Sequence, residues 1–308
     1  GLGVVAADLD EDGDVDFSGV YGTYTGVEKW TFDAYWLWLR DARSLKDTSG
    51  AAFPEWIESI AGVDDYKATN IHTAGLRGAG TAGAFDFEAE AAYQLGSAGQ
   101  AGYLFKPVRY GDEDAEYDAW TAHATVGYTF SVAWKPRLQS DYCYFGGEDN
   151  RDVSFREWLD ALFNPFYRGS SVSFNRLFSD ACVHNILDGT DVSNLHAFSV
   201  GAAVSPTEKV EVTLDISYLM ADKAFEMPAA PLLGFLSEPN SRDLGVEVCL
   251  AAAYQYTNDI YFVAGWDHLF LGKGLEQGQF MQAYGFDFNG GSDDDDADYF
   301  FFEMGLSF

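Results

Sequence analysis

Phe85-Asp86-Phe87-Glu88-Ala89-Glu90-Ala91-Ala92-Tyr93-Gln94-Leu95 reads apolar and polar by turns. Phe85, Phe87, Ala89, Ala91, Tyr93 and Leu95 fall on one face of an extended strand, and Asp86, Glu88, Glu90, Ala92 and Gln94 on the other, because successive side chains of a strand point to opposite sides. The segment 210–220 repeats the pattern, with Val210, Val212, Leu214, Ile216, Tyr218 and Met220 against Glu211, Thr213, Asp215 and Ser217. So do 120–130, where Trp120, Val126, Tyr128 and Phe130 oppose Thr121, His123, Thr125 and Thr129, and 244–256, where Leu244, Val246, Val248, Leu250, Tyr254 and Tyr256 oppose Glu247, Cys249 and Gln255. Strands of a soluble β-sandwich also alternate, but they average ~5–6 residues. These runs last about ten, near the ~9–11 of a tilted membrane-spanning strand.

Working outward, the connections alternate between short and long. From the C-terminus, the last strand is about 298–308, and a long loop, about 274–297, precedes it. Strands 260–268 and 242–256 meet at Thr257-Asn258-Asp259, and after a loop at about 221–241, strands 209–220 and 195–204 meet near Ser205-Pro206-Thr207-Glu208. The longest connection, about 147–193, comes next. Strands 134–145 and 118–130 share a turn near Ser131, 85–96 and 71–80 join through Ala82-Gly83, and 29–41 and 16–25 join near Gly26, with a stub at 2–7. Short turns at one end and long loops at the other are the asymmetry of outer-membrane barrels. The expected fold is therefore all-β: one antiparallel transmembrane β-barrel domain over 1–308, with about twelve strands visible.

Composition fits this reading once alternation is taken into account. The 308 residues carry a formal net charge of −31 and include 32 Gly, with 17% aromatic residues. Mean hydropathy is −0.14, which suits a barrel because only alternate residues meet lipid. No apolar run approaches the ~20 residues of a membrane helix. Residue 1 is Gly and no export signal is visible, which is read as a processed or truncated product. Cys143, Cys182 and Cys249 are too few and scattered for a disulfide framework or a zinc site. The chain ends with Phe300, Phe302, Met304, Leu306 and Phe308 on one face. A stripe finishing in a terminal aromatic is the form of strand read by the bacterial barrel-insertion machinery, so that machinery, outer-membrane lipid and lipopolysaccharide are the expected partners.

Four stretches carry a family resemblance: Phe17–Asp41 (FSGVYGTYTGVEKWTFDAYWLWLRD), His72–Gly96 (HTAGLRGAGTAGAFDFEAEAAYQLG), Trp134–Asp149 (WKPRLQSDYCYFGGED) and His196–Ala221 (HAFSVGAAVSPTEKVEVTLDISYLMA). At the level of pattern and short motifs, over most of its length, the chain resembles the alginate-export family of outer-membrane porins. The resemblance implies a monomeric barrel in the outer membrane of a Gram-negative cell. The best-known member has eighteen strands and exports alginate, so this chain is either the C-terminal part of a barrel of up to eighteen strands or a smaller relative.

An alginate conduit is expected to present a positive lumen to a polyuronate. Alternation here assigns the opposite sign: Asp86, Glu88, Glu90, Asp141, Glu211, Asp215, Glu247, Asp267 and Glu303 face inward, against Arg77 and Arg137. His123 lies on the same face. A wall of one sign concentrates the opposite ion, and Asp/Glu rings are the usual route to cation preference. The expectation is a passive pore for small cations or neutral solutes. The opposing reading is that these carboxylates pair with Arg and Lys from loops or further strands and leave no net field. A reading of a different class is a plugged barrel that scaffolds a surface assembly or binds a partner.

The connection 147–193 is too long for a structureless loop. Phe155, Trp158, Leu159, Leu162 and Phe163 fall at helical spacing and Asn164-Pro165 would end the helix. Such a helix either folds into the mouth and narrows the pore, the favoured reading, or caps it from outside. A similar short piece spans Pro54 to Ile60. Arg151, Arg156, Arg168 and Arg176 in the longer loop are candidates to face the acidic wall across a constriction.

Asp8, Asp10, Asp12, Gly13, Asp14 and Asp16 resemble the front half of a calcium loop, but Gly19 stands where a bidentate Glu is needed. With Asp293 to Asp296 they read as solvated acidic loops, and no cofactor is expected beyond loose surface binding of divalent cations such as calcium. His72, His123, His184, His196 and His268 show no metal-binding spacing. No nucleophile–base pair is evident, so no enzyme is expected, and the charge excludes nucleic acid, whose phosphates require Lys and Arg.

Overall fold

In a computed structural model, residues 2–5, 15–41, 69–97, 116–147, 171–177, 193–224, 241–276 and 296–306 are described. The alternating segments form strands, named in chain order: β1 (Leu2–Val5), β2 (Val15–Tyr24), β3 (Trp30–Asp41), β4 (Thr69–Ala82), β5 (Phe85–Ser97), β6 (Glu116–Thr129), β7 (Arg137–Phe145), β8 (Ser171–Val172), β9 (Leu195–Thr207), β10 (Val210–Ala221), β11 (Asp243–Gln255), β12 (Ile260–Leu271) and β13 (Ala297–Leu306). One helical turn, α1 (Lys273–Glu276), follows β12. No helix among the described residues is long and apolar enough to cross a membrane.

The strands form one sheet in the order β1-β2-β3-β4-β5-β6-β7-β9-β10-β11-β12-β13, every neighbouring pair antiparallel, while β8 adds to β6 in parallel. This is a barrel meander in which each strand pairs with the next. Turns at the short-connection end are tight. Gly83, at φ +67°, closes the β4–β5 hairpin, a left-handed conformation that costs glycine nothing. A register shift between Leu219 and Met220 marks a bulge against β11, where Gly245 sits at φ +126°. A Cβ there would fall 2.1 Å from the Phe270 carbonyl oxygen.

The two faces of the sheet differ as the alternation demands. The outward face exposes large apolar side chains, among them Leu76 (66%), Val200 (57%), Phe300 (74%) and Phe302 (72%). Aromatic residues on this face gather in two bands. Near the long connections, Trp36 and Trp38 stack on His72, Trp120 packs on Tyr144, and Tyr142 packs on Phe198. Near the short turns, Trp30 stacks on Phe32 and Phe87, and Tyr128 meets Phe85 and Phe130 edge-on. An apolar band between two aromatic girdles is the surface of a barrel seated in a bilayer.

Candidate functional site

The twelve residues expected to line the pore share one face of the sheet. Arg77 stands opposite Asp33 on β3 and Glu90 on β5, Glu90 opposite His123, and Glu88 opposite Thr125. Thr125 faces Asp141, and Arg137 faces Thr129. Across β10–β13, Asp215 faces Cys249, Glu211 faces Ala253, Ser217 faces Glu247, Cys249 faces Asp267 and Val263 faces Glu303. Because strand side chains alternate, these positions all point inward together with Asp86.

Along β3–β7 this face is a mixed-charge network. Arg77 donates from Nε and Nη2 to the two oxygens of Glu88, both at 2.9 Å, and from Nη1 to Asp33 Oδ2 at 3.0 Å. Arg137 donates from Nη2 to Asp86 Oδ1 at 2.6 Å and from Nη1 to Gln139, whose own amide donates to Asp215 Oδ1 at 3.1 Å. The Tyr35 hydroxyl donates to Glu90 at 2.5 Å, and the Thr125 hydroxyl donates to Asp141 at 2.6 Å and lies 3.2 Å from His123 Nε2. The two arginines thus neutralise much of one side of the wall.

The β10–β13 side differs. Among the described residues no Lys or Arg lies within ion-pair distance of Glu211, Asp215 or Glu303, nor of Glu90 and Asp141 on the β3–β7 side. Glu247 and Asp267 also face inward but are 2% and 0% exposed. They belong to the packed wall rather than to its wetted surface.

A piece of the longest connection lies against this face at the long-loop end. One backbone bond and the Gln94 side-chain amide tie it down: Phe174 N donates to Gly146 O, Asn175 N to Gln94 Oε1 at 2.7 Å, and Gln94 Nε2 to Asn175 O at 2.8 Å. Arg176 lies 4.8 Å over the Phe145 ring, a cation–π contact. It therefore stacks on an aromatic. Beneath the strap, Phe145, Phe174, Leu195, Ala197 and Leu219 form a small apolar cluster. The helices expected within 54–60 and 155–163, and Arg151, Arg156 and Arg168, lie outside the described residues.

Sequence reasoning missed Asp33, which is 5% exposed and bonded to Arg77, and the inward tyrosines Tyr21 and Tyr35. Asp16, the last residue of the calcium-like run, belongs to β2 and pairs with Arg40 at 3.4 Å; Asp8 to Asp14 lie outside the described residues. Asp296 accepts a bond from Leu271 N and stands 3.7 Å from His268. Among the described residues no group of three or more His, Cys, Asp or Glu could hold a metal ion.

Among solved structures, the chain is similar to a mutant of the ferric enterobactin receptor PfeA from Pseudomonas aeruginosa in complex with enterobactin, at 12% identity and TM-score 0.42, over 85% of this chain and 34% of that one. It is also similar to a Pseudomonas aeruginosa FadL homologue, at 10% identity and TM-score 0.33 over 84% and 60% of the two chains. A third is the Pseudomonas putida toluene transporter TodX, at 13% identity and TM-score 0.32 over 82% and 63%. The chain thus spans about a third of the receptor's length and less than two thirds of the other two. No curated protein matches. The family model described as alginate export matches residues 6–276, nearly the whole sheet just described, and the chain belongs to the alginate-export family.

Proposed function

We propose that this chain is an outer-membrane channel for the passive passage of small cations or neutral solutes. The observation that carries the reading is the imbalance of the inward face: Arg77 and Arg137 are engaged by Asp33, Glu88 and Asp86, while among the described residues Asp141, Glu211, Asp215 and Glu303 form no ion pair with Lys or Arg, and Arg137 reaches the first three only by longer-range attraction. Engaged arginines offer little to an anion, and the remaining carboxylates attract cations. A polyuronate, as the family's description would suggest, suits this wall poorly. The channel works as a monomer, reaches the outer membrane through insertion machinery that reads the apolar face of β13, and is bounded by lipid and lipopolysaccharide. Purified protein in planar bilayers under a KCl gradient tests it: the reversal potential takes the sign of a cation-preferring pore, and an anion-selective sign overturns the proposal.

One observation favours a second reading. The strap at 171–177 packs against the inward face, as part of a plug would. In a plugged scaffold, proteoliposomes do not swell in isosmotic neutral sugar; in a channel they do.

A further inference from the structure

Most large apolar side chains exposed in the strands look outward to lipid. Away from strand ends, Tyr21 (39% exposed) and Tyr299 (46%) are the inward exceptions among the described residues. Each belongs to a flat aromatic pair. Tyr21 and Tyr35 lie side by side on β2 and β3, ring centroids 5.8 Å apart and planes within 6°. Tyr299 and Phe301 lie 5.9 Å apart on β13, planes within 20°.

Glycine makes the rings lie flat. Gly75 stands opposite Tyr35, and a Cβ there would fall 2.2 Å from the ring; Gly265 stands opposite Phe301, where the distance would be 2.3 Å. Gly3 stands opposite Tyr21. A ring laid over a bare glycine covers the sheet with one face and turns the other to the lumen. The polar edges are anchored: the Tyr35 hydroxyl donates to Glu90, and Tyr21 hydrogen-bonds Asp33. The result at mid-height of the wall is a pair of parallel tyrosine rings, Tyr21 the more exposed, with the Glu90 carboxylate at its edge.

From this arrangement, and resting on the channel reading above, we propose that the Tyr21–Tyr35 plate is a binding site for pyranose oligosaccharides that are neutral or carry amino groups. The C–H face of a pyranose stacks on an aromatic face, and its hydroxyls donate to Glu90 at the edge. An ammonium group gains further from the ring quadrupole. A uronate meets Glu90 as a like charge, while the nearby Arg77 is already held by Asp33 and Glu88. The β13 pair is a second set of near-parallel rings, with Phe301 laid over Gly265 and Tyr299 opposite Asp267.

The test uses the full chain purified in detergent, titrated by calorimetry with three hexamers: maltohexaose, glucosamine hexamer and oligomannuronate. The first two bind and the uronate binds at least tenfold more weakly. Tyr21→Leu, which keeps apolar bulk without the flat ring, weakens binding at least tenfold, and Tyr21→Phe, which keeps the ring, stays within about threefold. Absence of binding by both maltohexaose and the glucosamine hexamer, undiminished binding in Tyr21→Leu, or tighter binding of the uronate overturns the site. Conductance in bilayers separates the two readings. A protein that conducts ions but binds neither sugar loses the plate and keeps the channel; one that binds sugar and never conducts keeps the plate and loses the channel.

Discussion

Arg77 grips Glu88 through two parallel hydrogen bonds of 2.9 Å while its third arm holds Asp33 at 3.0 Å. A bidentate fork fixes geometry as well as charge, so the β3–β5 wall is held together by the same group that quenches its field. Arg77→Gln should make the pore more cation-selective, because Asp33 and Glu88 are released together. It should also lower stability by about 1–3 kcal/mol, since Asp33 is left buried without its cation. Reversal potentials and thermal melts in detergent read the two effects; a shift toward anions would count against the assigned roles.

Asp222 follows β10 at the long-loop rim, outside the spanning strands. Burial favours its neutral form, but the Gly147 amide at 2.9 Å, His196 at 3.3 Å, the Tyr144 hydroxyl at 3.2 Å and the charge of Lys223 outweigh burial and hold the carboxyl below its ordinary range. A depressed carboxyl contributes stability that is present above the unfolded value, about 3.9 for Asp, and is lost as pH falls through the folded value. The rim formed by Tyr144, Gly147 and His196 should therefore hold from neutral pH down to about 4 and open below that. Amide exchange at Gly147 against pH checks this, and in Asp222→Asn the acid-induced step should disappear.

The strands are legible because each spanning segment has one face in lipid and one in water, and that difference is written every second residue. Where both faces carry similar residues the signal fades. In β3, Tyr35, Trp36, Leu37 and Trp38 run together, so the inward Asp33 and the Tyr35 plate are hidden among aromatics. Parity also tells which side a residue faces but not what covers it, which is why Glu247 and Asp267 read as wetted and are buried. The strap at 171–177 is held by long-range hydrogen bonds to the Gln94 side-chain amide and the Gly146 carbonyl, and no periodicity in so short a segment announces such partners. Tyr21 and Tyr35 were in principle detectable: each lies across a strand pair from a glycine, Gly3 and Gly75, but only the register reveals which glycine.

Asp267 is fully buried, and the group across from it is the weakly donating Cys249 thiol rather than a cation. Replacing a buried charged or chargeable group by a neutral isostere removes a desolvation cost. Asp267→Asn should melt at the same temperature as the parent or higher, a change on the order of 1 kcal/mol. It should leave the reversal potential unmoved, whereas Asp215→Asn should shift it toward zero. A large selectivity change in Asp267→Asn would return this residue to the conducting surface.

Gln94 is fully buried and joins the backbone of Asn175 through both ends of its amide, much as a neighbouring strand would. Gln94→Ala removes both bonds and leaves the Asn175 amide unsatisfied, a loss of roughly 1–3 kcal/mol at the strap. If the strap narrows the passage, single-channel conductance rises in Gln94→Ala and open-channel noise increases. Unchanged conductance together with new protease sensitivity near Asn175 would mean that the strap detaches without having obstructed flow.

Leu76 is at mid-height of β4, 66% exposed on the outward face, while its chain neighbour Gly75 faces inward beneath Tyr35. A lipid-facing position near the bilayer midplane penalises arginine by about 2–4 kcal/mol, an effect that fades toward the interfaces. A soluble sheet would wet Leu76 and tolerate the change. Leu76→Arg should therefore lower folding stability in bilayers by that amount, and Val126→Arg, toward the short-turn girdle, by less. Equilibrium unfolding in phospholipid vesicles measures both. Equal and negligible costs at the two sites would mean that the outward face meets water, and the barrel with its inward charges would have to be turned inside out.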